Sequence, residues 1–273
     1  MYFLFALFFF LFGLIIGSFL NVVIYRYNTG HTVGGRSKCL SCGKTLRWFE
    51  LIPLFSYIFQ KGRCRKCESH ISNQYPLVEL GTGILFAALY LNIKDLAFYD
   101  PNMFVVKMIL EMIIASLLVI IFVYDIRHKI IPNGIVYTFS AISLIYLFLN
   151  NPVSAYTSSI FILDVLAGPI LFLPFYILWR VSEGKWIGLG DGKLALGMGW
   201  FLGFVLGLSA IIISFWLGAI VGVGILLIAR LNKGGKHITM KTEVPFAPFL
   251  IIGTFLAFFF SLDVLSIGLL LNF

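Results

Sequence analysis

The chain has 273 residues, of which 60% are hydrophobic and only 12% are charged. This composition excludes a soluble globular domain, in which about a quarter of the residues are charged, and indicates a polytopic membrane protein. The net charge of +8 is not gathered into basic tracts interleaved with aromatic residues, so we expect no nucleic-acid partner. We attribute the basic excess to membrane topology and to contacts with lipid headgroups.

Residues 1–25 contain no charged side chain, and the first basic residue, Arg26, follows them. A secretory signal carries its positive charge before the apolar run, so residues 1–25 are predicted as an uncleaved first transmembrane helix with its N-terminus outside. The stretch Gly17-Ser18-Phe19-Leu20-Asn21 near its end is polar for a lipid-facing helix. Ser18 and Asn21 are therefore expected to hold a neighbouring helix.

A polar segment covers residues 26–75 and contains nine of the twenty Lys and Arg residues. The later apolar runs are 77–93, 103–124, 134–150, 158–179, 194–229 and 246–270. The run 194–229 is too long for a single span of about 20 residues. Gly203, Gly207 and Ser209 in its interior are candidate positions for a tight turn, and splitting the run there gives eight spans.

The distribution of basic residues supports eight spans. With segment 26–75 in the cytoplasm, the loops 125–133, 180–193 and 230–245 are also cytoplasmic, and only Lys94 and Lys107 remain outside. The positive-inside bias therefore predicts an all-α polytopic membrane protein with eight transmembrane helices and both termini outside. The predicted parts are the first helix (1–25), the cytoplasmic segment (26–75) and a transmembrane core (76–273).

Two acids are predicted to lie at the same membrane face. Asp125 ends the third predicted helix, and Asp191 begins the sixth, within Gly188-Leu189-Gly190-Asp191-Gly192-Lys193. A carboxylate at the edge of a hydrocarbon layer is costly and is a candidate functional residue. Two such carboxylates can hydrolyse a peptide bond, one taking a proton from water and the other donating one to the carbonyl oxygen.

Structural alternatives exist for both acids. Asp191 can cap a helix, and Asp125 can pair with Arg127 or Lys129 at the headgroup boundary. Helix polarity gives a further expectation for the reaction. Asp191 near a helix N-terminus is favoured as the base, and Asp125 near a helix C-terminus as the proton donor.

Four cysteines form the pairs Cys39-x-x-Cys42 and Cys64-x-x-Cys67 within the polar segment. This spacing predicts a structural zinc site resembling a zinc ribbon, in which four thiolates surround the ion and stabilise a segment with little core of its own. A redox dithiol is the alternative. His31 and His70 flank the pairs and are predicted to be solvated loop residues rather than ligands.

These motifs together resemble the type IV prepilin peptidases, which are Gly-x-Gly-Asp aspartic proteases of the bacterial inner membrane. The resemblance rests on Gly188–Leu194 with Asp125 and Ile131-Pro132, and it extends over nearly the whole chain. The polar segment adds Trp48-Phe49-Glu50-Leu51-Ile52-Pro53 and Gly62-Arg63-Cys64-Arg65-Lys66-Cys67, and Tyr75–Leu80 opens the second helix. Leu40, inside the first cysteine pair, and Ala247 depart from the family pattern.

The resemblance implies an activity and its residues. Such an enzyme cleaves prepilins and pseudopilins after a glycine on the cytoplasmic side and N-methylates the new terminus with S-adenosylmethionine. Asp125 and Asp191 would be catalytic, with Gly188, Gly190 and Lys193 as supporting residues. Segment 26–75 would carry the methyltransferase function, with Glu50 as the candidate cofactor residue or, alternatively, as an acid that balances local cations.

The basic leader of such a substrate calls for nearby acids, for which Glu79, Glu183 and Glu243 are the candidates. Two other functions stay open from the sequence: a peptidase alone with a structural zinc site, and a proton-coupled transporter using Asp125 and Asp191. The transporter predicts acids near the bilayer midplane and an inverted repeat. The sequence contains no evident repeat and places the acids at one face.

Overall fold

The computed structural model of the chain describes residues 2–29, 32, 34–231 and 245–266. Within these residues the fold is all-helical, and β-structure is limited to two isolated bridges. The α-helices are α1 (Tyr2–Arg26), α2 (Phe55–Phe59), α3 (Gln74–Ile93), α4 (Leu96–Tyr99), α5 (Pro101–His128), α6 (Asn133–Asn150), α7 (Ser159–Ser182), α8 (Leu189–Leu231) and α9 (Ala247–Phe260). The chain divides into two compact units, Met1–Ile120 and Ile121–Phe273.

Six helices in the described part of the chain are long and apolar enough to cross a membrane. They are α1, α3, α5, α6, α7 and the portion Leu189–Leu227 of α8. Helix α9 is apolar but has only 14 residues. The prediction of an all-α polytopic membrane protein is therefore confirmed in its coarse form.

In the first unit, α1 packs closely against α3. A Cβ placed on Gly17 of α1 would lie 2.8 Å from the Cα of Glu79, so only a glycine permits this approach of the two backbones. Asn21 donates hydrogen bonds to the carbonyl oxygens of Gly17 (3.3 Å) and, on α3, Tyr75 (3.2 Å). The prediction that Asn21 joins two helices is confirmed.

In the second unit, the turn predicted within the run 194–229 is present at Gly203. This residue interrupts α8 with φ 76° and ψ −178°, a conformation that favours glycine. A Cβ on Gly207 would lie 3.5 Å from the Cα of Gly199. Eight residues of continuous helix rise about 12 Å, so the chain must turn back on itself here.

The carboxylate of Asp164 on α7 stabilises this turn. Its Oδ1 accepts a hydrogen bond from the backbone N–H of Phe204 at 2.9 Å and so caps the second part of α8. A Cβ on Gly203 would lie 2.6 Å from the same oxygen, which leaves no room for a side chain. Asp164 was not singled out from the sequence.

Candidate functional site

Asp125 lies in the last turn of α5, and the chain leaves that helix at Lys129. Lys129 has a positive φ of 54°, and its N–H donates to the carbonyl oxygen of Asp125 at 2.7 Å. A left-handed residue just beyond the last turn is a common way for a helix to end. The carboxyl-bearing turn of α5 is thereby fixed, and Ile130-Ile131-Pro132 lead directly into α6.

Asp191 lies in the first turn of α8, where the Gly188 backbone N–H hydrogen-bonds to its carboxylate. Asp191 is the third residue of α8, and its side chain reaches back to the N–H of the residue before the helix, as the acid of a capping box does. Asp191 is therefore not itself the N-cap residue. The flanking glycines allow close packing: a Cβ on Gly190 would be 3.0 Å from the Cβ of Ile131, and one on Gly192 would be 3.1 Å from that of Phe175. The Gly-x-Gly-Asp loop therefore packs against both the α5–α6 connection and α7.

Both acids line one cavity of about 630 Å³. Asp125 and Asp191 are each buried, with 5% and 9% of their surface exposed, and the charge of Asp125 acts on Asp191. Cavities of this size accommodate ligands or peptide segments. The structure thus brings together the two acids that the sequence singled out, although they lie 66 residues apart in the chain.

The environment of Asp125 includes a contact that sequence reasoning missed. The backbone N–H of Ala247, the first residue of α9, hydrogen-bonds to its carboxylate. Asp125 therefore lies at the end of α5 and also at the N-terminus of α9, where a negative charge is favoured. Both acids therefore lie at a helix N-terminus, and helix polarity does not distinguish the base from the proton donor.

One oxygen of this buried pair has no hydrogen-bond partner. The Oδ2 atom of Asp125 is inaccessible and unbonded within the described residues. Buried polar atoms are bonded in the great majority of cases, and an exception beside a cavity indicates a place for a proton, a water molecule or a substrate group. A backbone amide thus bonds to each acid, and among the described residues Asp125 has bonding capacity left over.

Two lysines also line the cavity, namely Lys129 and Lys193. Lys193 donates to Oδ1 of Asn133 at 2.8 Å and lies 5.1 Å from the ring centre of Tyr137, which ties the start of α8 to α6. Lys193, predicted as a supporting residue, therefore has a structural contact. Asn133 was not singled out beforehand, although it directly follows Ile131-Pro132.

Of the acids proposed for a basic leader, the two that the structure describes, Glu79 and Glu183, are not among the residues that line this cavity. Glu183 caps the C-terminus of α7 and forms an exposed ion pair with Lys185 at 3.5 Å. Glu79 belongs to the first unit, where its Oε2 accepts a hydrogen bond from the N–H of Leu54 at 2.8 Å. Glu243 lies outside the described residues, as do Lys233, Lys236 and Lys241.

In the first unit, the four cysteines converge into a second cluster. Their sulfur atoms all lie within 4.8 Å of one another, and Cys39 Sγ is 3.8 Å from Cys67 Sγ. Four sulfurs at about 2.3 Å from a tetrahedral ion are about 3.8 Å apart, so the cluster has the dimensions of a metal site. The described residues that could hold a metal are these four cysteines; His70 is exposed, and His31 lies outside the described residues.

Each cysteine pair sits in a tight turn of the same construction. The N–H of Cys39 bonds to the carbonyl of Lys44 and that of Gly43 to Cys39, at 2.9 Å in both cases. The second turn repeats this pattern with Cys64, Ser69 and Glu68, also at 2.9 Å. The residue four places after the first cysteine has a positive φ in each turn, 69° for Gly43 and 55° for Glu68.

The pKa values of the thiols in this cluster differ from one another. The backbone N–H of Cys42 is the main cause that lowers the pKa of Cys39 to about 6. A hydrogen bond from the Lys44 amide lowers the pKa of Cys42, but burial and its thiol neighbours outweigh that effect and raise it to about 11. A cation that prefers thiolates would displace the remaining protons.

Glu50 lies in the same segment and is buried, with 6% of its surface exposed. Its Oε1 pairs with Lys44 Nζ at 2.9 Å, and its Oε2 accepts the Arg47 N–H at 2.9 Å. The Arg47 amide first, and Lys44 second, lower the pKa of Glu50 below its ordinary value. Both oxygens are therefore occupied, which fits the alternative reading of an acid that balances local cations.

Two segments of the chain match families of known proteins. Residues 11–93 match the family described as the bacterial peptidase A24 N-terminal domain, and residues 112–223 match the type IV leader peptidase family. A prepilin leader peptidase/N-methyltransferase of Bacillus subtilis is 33% identical over 259 residues, covering 94% of this chain and 95% of the relative. The chain belongs to the type IV leader peptidase family.

Other relatives of this leader peptidase carry the same name. The Myxococcus xanthus protein is 34% identical and covers 89% of this chain and 69% of its own length. The Aeromonas hydrophila protein is 27% identical, with 91% and 88% covered. No solved structure matches the chain. The resemblance stated from the motifs is confirmed, and membership of this family supports the peptidase over the alternative of a proton-coupled transporter.

Proposed function

We propose that this leader peptidase removes the short leader of type IV prepilins and pseudopilins after a glycine and then N-methylates the new N-terminal residue. The observation that carries the proposal is the pair Asp125 and Asp191, both buried, each held by a single backbone amide and both lining one cavity. The family and the names of the relatives supply the substrate class and the methyl transfer.

The proposed hydrolysis uses the two carboxyl groups as one unit that holds one proton. The ionised carboxylate takes a proton from water as the water oxygen bonds to the scissile carbonyl carbon. The protonated carboxyl gives its proton to the carbonyl oxygen, which forms a gem-diol. The gem-diol then collapses: one of its hydroxyls returns a proton to the ionised carboxylate, the C–N bond breaks, and the leaving nitrogen takes the proton of the other carboxyl. One proton again remains on the pair, as at the start.

The proposed location is the bacterial cytoplasmic membrane, with eight spans, both termini outside and the cavity facing the cytoplasm. The turn at Gly203 supports a division of α8 into two spans. Asp125 lies at the end of α5 and Asp191 at the start of α8, so both face the side at which Arg127, Lys129 and Lys193 collect. This is the side that the positive-inside bias assigns to the cytoplasm.

The proposed metal at Cys39, Cys42, Cys64 and Cys67 is a structural zinc ion. A closed set of four thiolates leaves no position for a catalytic water, and zinc prefers such a tetrahedral sulfur site. The ion would join the two cysteine turns, and Cys64 is the buried one of its four ligands. Its function would be to hold segment 26–75 in shape.

S-adenosylmethionine is the proposed methyl donor, and it would supply an electrophilic methyl group to the new terminal amine. Each oxygen of Glu50 already has one partner, Lys44 Nζ or the Arg47 N–H, so a cofactor would have to share Glu50 with them. Glu50 as the cofactor residue stays a prediction.

The experiment that tests the proposal is mass spectrometry of a prepilin co-expressed with the enzyme. We expect loss of the leader and addition of one methyl group. Asp125→Asn and Asp191→Asn should each abolish leader loss, and Asp95→Asn, which changes an exposed acid in the first unit, should leave it intact. Leader loss without methylation would support a peptidase alone, and unchanged cleavage in both dyad variants would refute the proposed mechanism.

A further inference from the structure

The cysteine segment presents large apolar side chains on its surface. Trp48 and Phe59 are each 77% exposed, Ile58 is 67% exposed and Phe55 is 53% exposed. Phe55, Ile58 and Phe59 are spaced i, i+3, i+4 along α2 and therefore share one side of that helix. Trp48 belongs to the short helical turn Trp48–Glu50, which contacts α2. We refer to Trp48, Phe55, Ile58 and Phe59 together as the apolar face of the segment.

The opposite side of α2 holds the segment together. The hydroxyl of Tyr57 donates to Oδ1 of Asn73 at 2.6 Å. A Cβ on Gly62, two residues before Cys64, would lie 2.9 Å from the same hydroxyl oxygen. Tyr57 therefore packs inward against the second cysteine turn, and α2 cannot rotate to bury the apolar face without losing these contacts.

The start of α2 is fixed at the level of the first two turns of α3. Leu54, the residue just before α2, donates its N–H to Oε2 of Glu79 at 2.8 Å. Glu79 is the sixth residue of α3, which begins at Gln74 and is long and apolar enough to cross a membrane. Five residues of helix rise about 7.5 Å, so α2 lies close to the end of a membrane span, at headgroup depth.

The charge of the segment complements anionic lipid. Residues 26–73 contain nine basic residues and two acids, Glu50 and Glu68, which gives a formal net charge of +7. Lys61, Arg63, Arg65 and Lys66 follow α2 directly. Exposed Trp and Phe beside Lys and Arg are the composition of a segment that lies in the membrane interface.

We propose that the apolar face of the cysteine segment inserts into the headgroup region of an anionic lipid leaflet, with the neighbouring Lys and Arg residues on the lipid phosphates. The segment would thus be a surface-bound module rather than a loop in the aqueous phase. The inference rests on α1 and α3 crossing the membrane, which is part of the proposed function, but it does not depend on the catalytic acids.

The test uses the full-length enzyme in liposomes that contain phosphatidylglycerol and lipids brominated near the headgroup end of the acyl chains. The Trp48 contribution to fluorescence is the difference between the parent enzyme and Trp48→Phe. We expect this contribution to be quenched by the brominated lipids and shielded from aqueous iodide. In liposomes of phosphatidylcholine alone, the lipid quenching should weaken, because the choline cation balances each phosphate and the surface has no net negative charge.

Two outcomes would overturn the proposal. Quenching by iodide without quenching by lipid would place Trp48 in water, and protection from both quenchers would place it against protein, such as a second copy of the chain or a bound substrate helix. Asp125→Asn in the same liposomes should lose leader cleavage and keep the Trp48 quenching unchanged, so failure of the catalytic proposal is distinguishable from failure of this one.

An independent variant tests the same surface. Ile58→Asp with Phe59→Asp should reduce Trp48 quenching by lipid several-fold. The metal content of the purified enzyme should stay at the parent level, because both side chains are exposed and the packing of Tyr57 at Gly62 is kept. Unchanged lipid quenching at unchanged metal content would contradict insertion of α2.

Discussion

Glu50 and Asp125 are buried to nearly the same degree, 6% and 5% exposed, but their surroundings differ. In the cysteine segment, both oxygens of Glu50 are bonded, to Lys44 and to the Arg47 amide. In the second unit, Asp125 has one amide partner, and its Oδ2 is unbonded among the residues described. A buried acid with its bonding capacity filled stabilises a fold, whereas one with capacity left beside a cavity is available for chemistry.

The largest expected effect comes from neutralising one acid of the pair Asp125 and Asp191. Asp125→Asn or Asp191→Asn should lower the rate of leader cleavage by about 10³-fold or more, since the pair loses its shared proton. The thermal stability should not fall, because each change removes a buried charge that is incompletely bonded. Single-turnover cleavage and melting curves in the same detergent measure the two effects.

The control for the dyad is Asp95→Asn, which alters an exposed acid of the first unit and should change neither quantity. If either variant cleaved at the parent rate, the substituted acid would not be catalytic. A dyad variant that cleaves normally but unfolds early would show that the acid is structural, as Glu50 is.

Loss of one cysteine should produce the converse result. Cys64→Ser removes the most buried of the four ligands, and we expect the metal to be lost and segment 26–73 to become sensitive to protease. The binding of structural zinc contributes about 10–16 kcal/mol in small zinc-finger peptides, so the segment should unfold locally. Metal analysis and limited proteolysis at the Lys and Arg sites of the segment measure this effect.

Ser41→Ala is the matched control, because Ser41 lies in the first cysteine turn and offers no ligand to the cluster. Methylation should fall more than leader cleavage in Cys64→Ser, since the cleavage residues belong to the second unit. Full metal content in Cys64→Ser, or an absence of metal in the parent enzyme, would refute the proposed site.

The next prediction tests the turn at Gly203 in the second unit. Gly203→Ala should destabilise the protein by about 2–4 kcal/mol, because a side chain in the left-handed region costs about 1–2 kcal/mol and the new Cβ would also meet the Asp164 carboxylate. Thermal unfolding in detergent checks this. Gly222→Ala, a helical position with open space around it, should be neutral or slightly stabilising, and equal effects of the two changes would contradict the turn.

The smallest expected effect concerns Glu50. Because the Arg47 amide and Lys44 hold the pKa of Glu50 below its ordinary value, its carboxylate stabilises the fold above that ordinary value and ceases to do so as pH falls through the lowered one. Glu50→Gln should therefore cost about 1 kcal/mol at neutral pH and almost nothing in acid. Protease protection of the parent and the variant measures this effect. A difference between them that grew as the pH fell would contradict the stabilising role of the Glu50 carboxylate.

Much of this architecture could be predicted from the sequence because apolar periodicity, charge and glycine placement are local signals. The apolar runs predicted the long helices, and the excessive length of the run 194–229 predicted a turn that the structure has at Gly203. Asn21 was expected to join helices and does so. The cysteine spacing predicted a cluster, and the four thiols do converge.

The contacts that could not be predicted join segments far apart in the chain. The Ala247 amide reaches Asp125 across 122 residues, and Lys193 reaches Asn133 across 60. No periodic pattern encodes such a pairing. Asp164 could have been found, because a carboxylate within an apolar run is costly and requires a partner. Glu79 and Glu183, two of the acids expected to receive a basic leader, contact Leu54 and Lys185. Their role toward a leader stays a prediction.

The account depends most on Asp125 and Asp191 acting together, and the separation of their carboxyl oxygens in an experimental structure of the active enzyme tests this directly. We predict that the nearest oxygens of the two residues lie about 3 Å apart, or on either side of one water molecule, so that one proton serves both. The structure should be determined with an inhibitor bound in the cavity, from a preparation that cleaves prepilin before the inhibitor is added. Carboxyl oxygens too far apart for either arrangement would contradict a shared proton.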